Sequence, residues 1–405
     1  MKKISERIRY VGVNDFGKEL FEGLWPLPYG VSYNSYIIKD DKIALVDTVE
    51  EGFTEEYLAS IREAAEGLPV DYLIVNHMEP DHSSLIKTIL AEYPGAKIVT
   101  NAKAVPMIKG YHGLTEDIIH VVKEGDSLNL GSCTLKFCMI PMVHWPETMV
   151  TWLEEEGTLF SGDAFGTFGA VNPEDGLTEA ERFVQFKDEM MRYYSNIVGK
   201  YGLPVQSALK KLSGLDLKRV CSTHGPVWEK EIASVAGLYD KLSRYESEEG
   251  VCIVYGSMYG NTAKAAKALA AELESQGIPY ALHDLTGKTC ASEKEVSHKA
   301  EYEMSAAIRD AFRFSTIAVG SPTYNNGIFP PVETFMRCIS ARLLKNRRFF
   351  AFGSFTWSAA SVSHLNRLAT EQGFTLVSEG LTFPQAWSAE KGDMASVAEM
   401  MRRSL

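Results

Sequence analysis

Four ionisable residues fall within six positions of the 405-residue chain: His77, Glu79, Asp81 and His82, directly after the apolar run Tyr72-Leu73-Ile74-Val75. Two imidazoles and two carboxylates at the end of a buried strand serve no packing purpose, because burying unpaired ionisable groups is costly. Positions 77, 79 and 81 alternate in an extended chain, so their side chains can point to one side. Pro80 is expected to keep Glu79 out of the α region, with His82 turning in from the following loop. Three more candidates stand at predicted strand ends: His144 between Pro141 and Pro146, Asp163 after Leu159-Phe160-Ser161-Gly162, and His224 before Gly225-Pro226. Four imidazoles and three carboxylates suffice for two metal ions with Asp163 as a bridge, a pair that would sit about 3.5–4 Å apart. A lone His near a turn is ordinarily a surface or capping residue, so His112, His120, His283, His298 and His364 are read as structural.

A second chemical constellation opens at Gly256-Ser257-Met258-Tyr259-Gly260-Asn261-Thr262, between a buried strand and a predicted helix. Its hydroxyls and the free N–H groups of a helix start make a phosphate cradle. It is neither a Walker loop, since no G-K-[ST] follows, nor a G-x-G-x-x-G fingerprint. By itself such a turn is commonly only an N-cap. Two further loops join it: Ser321-Pro322-Thr323-Tyr324-Asn325-Asn326-Gly327 after a strand ending at Gly320, and Ser354-Phe355-Thr356-Trp357-Ser358 after one ending at Gly353. Ligands of open α/β sheets lie outside the carboxyl ends of the strands, where these loops would meet. The first loop is similar to the FMN phosphate loop of flavodoxins, which makes Tyr324 and Trp357 candidate walls for the isoalloxazine ring. Their alternative role is loop packing.

The polar stretch Lys241–Gly250, followed at once by Val251-Cys252-Ile253-Val254-Tyr255, sets an expected boundary between domains 1–248 and 249–405. Before it, short β runs bounded by turns are interrupted by helical patterns at Thr54–Glu66 and Glu179–Val198, as in a two-sheet sandwich covered by helices. After it, five apolar strands alternate with helices, the pattern of a doubly wound parallel sheet. The fold class is therefore α/β in both halves.

The length allows two or three domains, and 45% hydrophobic with 11% aromatic residues excludes intrinsic disorder. A formal charge of −12 argues against nucleic acid or an acidic membrane as partner. The six cysteines form no C-x-x-C pair, which fits a reducing compartment and excludes a four-cysteine iron or zinc knuckle within these residues. Without a secretory pattern after Met1-Lys2-Lys3 or a long apolar run, the expected protein is soluble and cytoplasmic.

The run from His77 to His82 resembles the H-x-H-x-D-H of the metallo-β-lactamase superfamily, with Glu79 where the hydrolases carry a second His. A carboxylate there makes the site harder and more anionic, which favours iron over zinc. Joined to an FMN domain, and including the entry segment Tyr29-Gly30-Val31-Ser32-Tyr33-Asn34-Ser35-Tyr36, the chain resembles the flavodiiron proteins, or A-type flavoproteins. That resemblance implies a metallo-β-lactamase-like αββα sandwich followed by a flavodoxin-like sheet. It implies one iron on His77, Glu79 and His144, another on Asp81, His82 and His224, Asp163 bridging, and FMN among the three loops.

The implied activity is reduction of O2 to water, NO to N2O, or both, by a head-to-tail homodimer or a dimer of dimers. Electrons would come from an external donor, a rubredoxin with its reductase or a reduced deazaflavin. The family has a tyrosine near its iron site. Tyr193 and Tyr194 lie about 100° apart on a helix, so at most one can take that place, and Trp145 could limit water access. Two rivals are a metal hydrolase with an attached flavodoxin module, which zinc would favour, and an electron carrier whose lactamase-like half is structural.

Overall fold

The computed structural model describes residues 2–405, gathered into two compact units. One comprises the chain up to Lys18, Tyr29–Tyr193 and Leu203–Asp240; the other comprises Glu19–Pro28, Tyr194–Gly202 and Lys241–Leu405. Two short segments of the N-terminal half thus group with the second unit.

In the first unit a seven-stranded sheet runs, in spatial order, Lys2–Lys3, Ile8–Tyr10, Tyr36–Lys39, Ile43–Val46, Tyr72–Ile74, Lys97–Asn101 and Ile119–Val122. Pairing is antiparallel as far as Ile43–Val46 and parallel beyond it. A five-stranded sheet runs Ser127–Asn129, Thr134–Met139, Met149–Leu153, Thr158–Gly162 and Arg219–Ser222. Tyr36, Ile38, Val46, Ile74 and Val99 of the first sheet form one core with Leu135, Phe137, Met149 and Phe160 of the second. The large sheet's other face, where Ile37, Leu45, Leu73 and Ile98 are cross-strand neighbours, is buried too. Helices Thr54–Ala64, Ile86–Glu92 and Ala104–His112 bury Tyr57, Ile61, Ile86, Ile89 and Ile108. Each such aliphatic side chain contributes about 1.5–3 kcal/mol on burial. This is the expected αββα sandwich. The helix expected over Glu179–Val198 ends as an α-helix at Tyr193 and passes into a wider π turn, Tyr194–Val198, a feature frequent at functional sites.

The second unit holds a parallel sheet in the order Tyr280–Asp284, Glu248–Tyr255, Phe314–Gly320, Arg348–Phe355, then an edge shared by Thr375–Leu376 and Leu381–Pro384. Strand order reverses at Glu248–Tyr255, so the switch point lies between it and Phe314–Gly320. The fifth strand, expected as one buried run, is split. Gly380 breaks it at φ 88°, where a Cβ would meet the carbonyl oxygen of Ala351 at 2.6 Å. As an edge it is also exposed at Thr375, so five buried strands overstated the core. The helix Met394–Ser404, capped by Asp393 through Ala395 N and Ser396 N, went unanticipated.

Buried Arg347 donates to the carbonyls of Ala311 and Phe312, satisfying the last turn of the helix Lys299–Arg313. His283 is buried between the Glu303 and Asp310 carboxylates, 3.1 and 2.9 Å from its two ring nitrogens. Among the described residues no helix is long and apolar enough to cross a membrane.

Candidate metal centre and cofactor cavity

The strand Tyr72–Ile74 delivers its chain into the loop that carries His77, and Glu79 is extended (φ −63°, ψ 135°) as Pro80 requires. The alternation stops there. Pro80–Ser83 is a helical turn, with proline at its first position, so Asp81 does not continue the extended face of His77 and Glu79. The turn instead sends Asp81 and His82 together toward a different neighbour.

The outcome is two adjoining groups: His77, Glu79, His144 and Asp163 in one, Asp81, His82 and His224 in the other, with donor atoms within 4.8 Å of one another in each. Asp163 faces both. Its Oδ2 lies 3.1 Å from His144 Nε2 and 3.6 Å from His77 Nε2, and its Oδ1 lies 3.2 Å from His82 Nε2 and 3.6 Å from His224 Nε2. Glu79 Oε2 is 3.0 Å from His144 Nε2, and Asp81 Oδ2 is 3.2 Å from His224 Nε2. Ligand atoms about 2.1 Å from a shared ion stand about 3–3.5 Å apart, so these spacings suit metal coordination. The Nε2 atoms of His77 and His82 are buried near carboxylates without hydrogen-bond alignment to any of them, which fits each being aimed at an ion of its own group.

Burial alone would raise the Asp163 carboxyl; the His82, His144 and His77 imidazoles outweigh it and hold it well below the usual carboxylate range. Burial likewise opposes charge on His82, yet Asp81, Asp163 and Asp47 push it up to about 10. The donor set is thus a balanced cluster of buried charge whose imidazole protons a metal would displace.

Partners that the sequence reading missed hold these ligands in place. Glu147, 1% exposed, accepts from His77 Nδ1 at 2.7 Å and from Met78 N at 3.0 Å, and its own carbonyl accepts from Asn101 Nδ2. The Ser32 carbonyl accepts from His224 Nδ1 at 2.8 Å. Both contacts place the imidazole proton on Nδ1 and leave Nε2 for the centre. Thr223 donates to Asp163 Oδ1 at 2.5 Å. Asp47 accepts from the Asn76 backbone and side-chain amides, fixing the residue before His77. Asp47 stands directly after the apolar run Ile43–Val46, the same pattern that marks Asp163, whereas Glu147 ends no apolar run and takes its role from His77, 70 residues away. Trp145, half-buried, sets its ring edge-on to His77 at 5.1 Å between centroids. Of the two tyrosines, Tyr193 packs its ring 5.7 Å from His224, whereas Tyr194 packs on Phe312 of the second unit.

In the second unit the three loops enclose a cavity of about 330 Å³. Ser257, Met258, Tyr259, Asn261 and Thr262 line it from the first loop, residues Pro322 to Asn326 from the second and Ser354 to Ser358 from the third. Gln385, on no expected loop, lines it as well. Gly260 and Gly327 do not: Gly260 makes the turn into the helix Asn261–Ser275 at φ 88°, and Gly327 pairs with Tyr324 in a short hairpin. Ser257 Oγ accepts from Gly260 N and Ala263 N, so this hydroxyl satisfies an amide of the helix's first turn although the N-cap position itself is Gly260. Thr262 Oγ1 and Ser354 Oγ are 3.0 Å apart. Thr323 Oγ1 accepts from Ala360 N and Ser361 N, tying the second loop to the start of the helix Ser361–Glu371 that follows the third. Trp357 and Tyr259 are almost fully exposed at the cavity and Tyr324 is 40% exposed, so all three present open ring surface.

A lactamase-type sandwich with a paired His/carboxylate centre, joined to a doubly wound unit with a loop cavity at its switch point, defines a two-part α/β protein of metallo-β-lactamase-like and flavodoxin-like halves. Residues 31–225 match the ODP family beta lactamase and residues 253–396 match Flavodoxin. A protein of Methanocaldococcus jannaschii is 30% identical over 93% of this chain and 91% of its own length. An anaerobic nitric oxide reductase flavorubredoxin of Escherichia coli is 30% identical over 92% of this chain and 76% of its own. Among solved structures, the rubredoxin oxygen:oxidoreductase of Desulfovibrio gigas superposes with a TM-score of 0.89 at 27% identity, covering 100% of this chain and 98% of its own. The flavodiiron protein of Giardia intestinalis superposes with 0.88, also at 27% identity, covering 99% and 97%. The chain belongs to the flavodiiron protein family.

Proposed function

We propose that the chain is an FMN- and diiron-dependent oxidoreductase that reduces O2 to water, NO to N2O, or both. The observation that carries this reading is Asp163, whose two oxygens face two separate His/carboxylate groups. In this reading His77, Glu79 and His144 hold one iron, Asp81, His82 and His224 the other, Asp163 is shared, and FMN occupies the cavity among the three loops, with the domains meeting near residue 248. When bound, the iron pair supplies electrons to the diatomic substrate and the flavin supplies them in turn.

The chain's own residues prepare that chemistry. Glu147 and Ser32 fix the tautomers of His77 and His224, and Thr223 orients the shared carboxylate. Trp145 and Tyr193, packed on two of the ligand rings, restrict access of water to the buried centre. Burial, reinforced by Asp163, holds the Tyr193 hydroxyl well above its ordinary pKa, so it keeps its proton as a potential donor. The carboxylate at Glu79 supports iron over zinc and therefore a reductase over a hydrolase.

The 405 residues hold no C-x-x-C pair, so electrons reach the flavin from outside this stretch of sequence, from a donor such as rubredoxin. A head-to-tail homodimer in the cytoplasm completes the reading, and sedimentation tests it: a monomer with full turnover contradicts the dimer. The function itself is tested by O2 and NO consumption of anaerobically purified protein with a chemically reduced donor. Consumption of either gas supports the reading. Neither gas consumed, with lactamase or thioesterase turnover, overturns it in favour of the hydrolase, and neither activity favours the electron carrier.

A further inference from the structure

We propose that Lys288 is a positioning residue for the phosphate end of the flavin, acting through the peptide groups of the Ser257-Met258-Tyr259 loop rather than by touching the ligand. The inference rests on the flavin reading above. Lys288 follows the strand Tyr280–Asp284, which pairs with Glu248–Tyr255, the strand that leads into that loop. The connection is tied down: Asp284 accepts from Thr286 N and Thr286 Oγ1, and Gly287 turns at φ 67° with Ala300 N 2.8 Å from where a Cβ would stand. From there Lys288 Nζ donates to the carbonyl oxygens of Ser257 at 3.1 Å and Met258 at 3.0 Å.

The consequence follows from peptide stereochemistry. In a planar trans peptide C=O and N–H point in opposite directions, and the loop contains no cis bond. The Ser257 carbonyl shares its peptide with Met258 N–H, and the Met258 carbonyl shares its peptide with Tyr259 N–H. Drawing both carbonyls toward Lys288 therefore turns two N–H groups away from it. Met258 and Tyr259 line the cavity and Lys288 does not, so the ammonium stands behind the loop. It also strengthens those donors, because polarising a carbonyl makes the N–H of the same peptide more acidic.

Charge gives this arrangement its purpose. None of the described residues lining the cavity is charged, so a phosphate dianion there meets only dipoles. Lys288 brings a positive charge to the back of the same peptides. A compact ammonium with three donors suits two adjacent carbonyls. The group it recognises is a phosphate monoester, which distinguishes FMN from riboflavin.

The test titrates full-length apoprotein with FMN and, separately, with riboflavin, following flavin fluorescence in wild type, K288M and K288R. Lys288→Met is expected to weaken FMN about tenfold, the size of one charge-assisted hydrogen bond, and riboflavin by less than about twofold, while Lys288→Arg stays within about threefold of wild type for FMN. Thermal unfolding of the apoproteins checks that the variants fold. Unchanged FMN affinity in K288M overturns the proposal, as does equal weakening of FMN and riboflavin, which would mark Lys288 as a support of the fold. Wild-type apoprotein that binds no FMN overturns the flavin reading itself.

Discussion

Glu147 is the residue whose removal separates a positioned ligand from one merely nearby. Its Oε1 accepts hydrogen bonds from His77 Nδ1 at 2.7 Å and from the Met78 amide at 3.0 Å, in a place 1% exposed. Glu147→Ala removes one charge-assisted hydrogen bond, worth about 1.5–3 kcal/mol, and one backbone bond of about 1 kcal/mol. It also frees His77 to move its proton to Nε2, the nitrogen a metal needs. Outer partners of metal-bound histidines are commonly worth about 10–100-fold in metal affinity, or about 1.4–2.8 kcal/mol, which agrees with the first bond. The assay dialyses wild type, E147A and E147Q against graded chelator and measures retained metal. E147A is expected to release metal from the His77 group at about 10–100-fold lower chelator than wild type, and E147Q, which keeps an acceptor oxygen, at an intermediate level. Equal retention in E147A and wild type would refute the role given to Glu147.

Asp163→Asn, which puts an amide nitrogen where one carboxylate oxygen stood, is expected to lower bound metal from two ions to one or fewer, by elemental analysis; retention of both contradicts a shared carboxylate. Tyr193→Phe is expected to slow gas consumption with flavin and metal content intact, while Tyr194→Phe leaves the rate unchanged, and equal rates in all three proteins would remove Tyr193 from the site. Burial opposes charge on His283, but Asp310 and Glu303 raise its pKa above the unfolded value. Its contribution to stability is therefore full below about pH 6.5 and lost as pH rises through the folded pKa. Asp310 is shifted the other way, burial being outweighed by Arg309 and His283, so its contribution holds above about pH 3.9 and fades as pH falls. The gap in thermal midpoint between wild type and H283Q should narrow from about pH 6 to about pH 9; a constant gap refutes the buried cation.

Much of the architecture was legible because it rests on local pattern. Apolar runs of strand length announced the three main sheets, and polar residues directly after such runs, His77, Asp163 and His224, stand where the structure gathers its donor groups. Where the reading strayed, a local rule was extended past its range. Alternation failed at Asp81 because Pro80 starts a helical turn as readily as it holds Glu79 extended. Glu147, Asp47 and Ser32 went unseen because their roles come from partners far away in sequence: 70 residues separate Glu147 from His77 and 192 separate Ser32 from His224. The split edge strand, and with it Gln385 at the cavity, goes with the positive φ of Gly380 beside the Ala351 carbonyl, where no Cβ would fit and which no periodicity encodes. The pair Tyr193 and Tyr194 could be narrowed to one by helix geometry, but only tertiary packing chooses which.

The central claim is that one chain carries a two-iron centre and a flavin. Metal and flavin analysis of anaerobically purified, full-length protein tests it most directly. The account predicts two iron ions and one FMN per chain; two zinc ions, or iron without flavin, would contradict it.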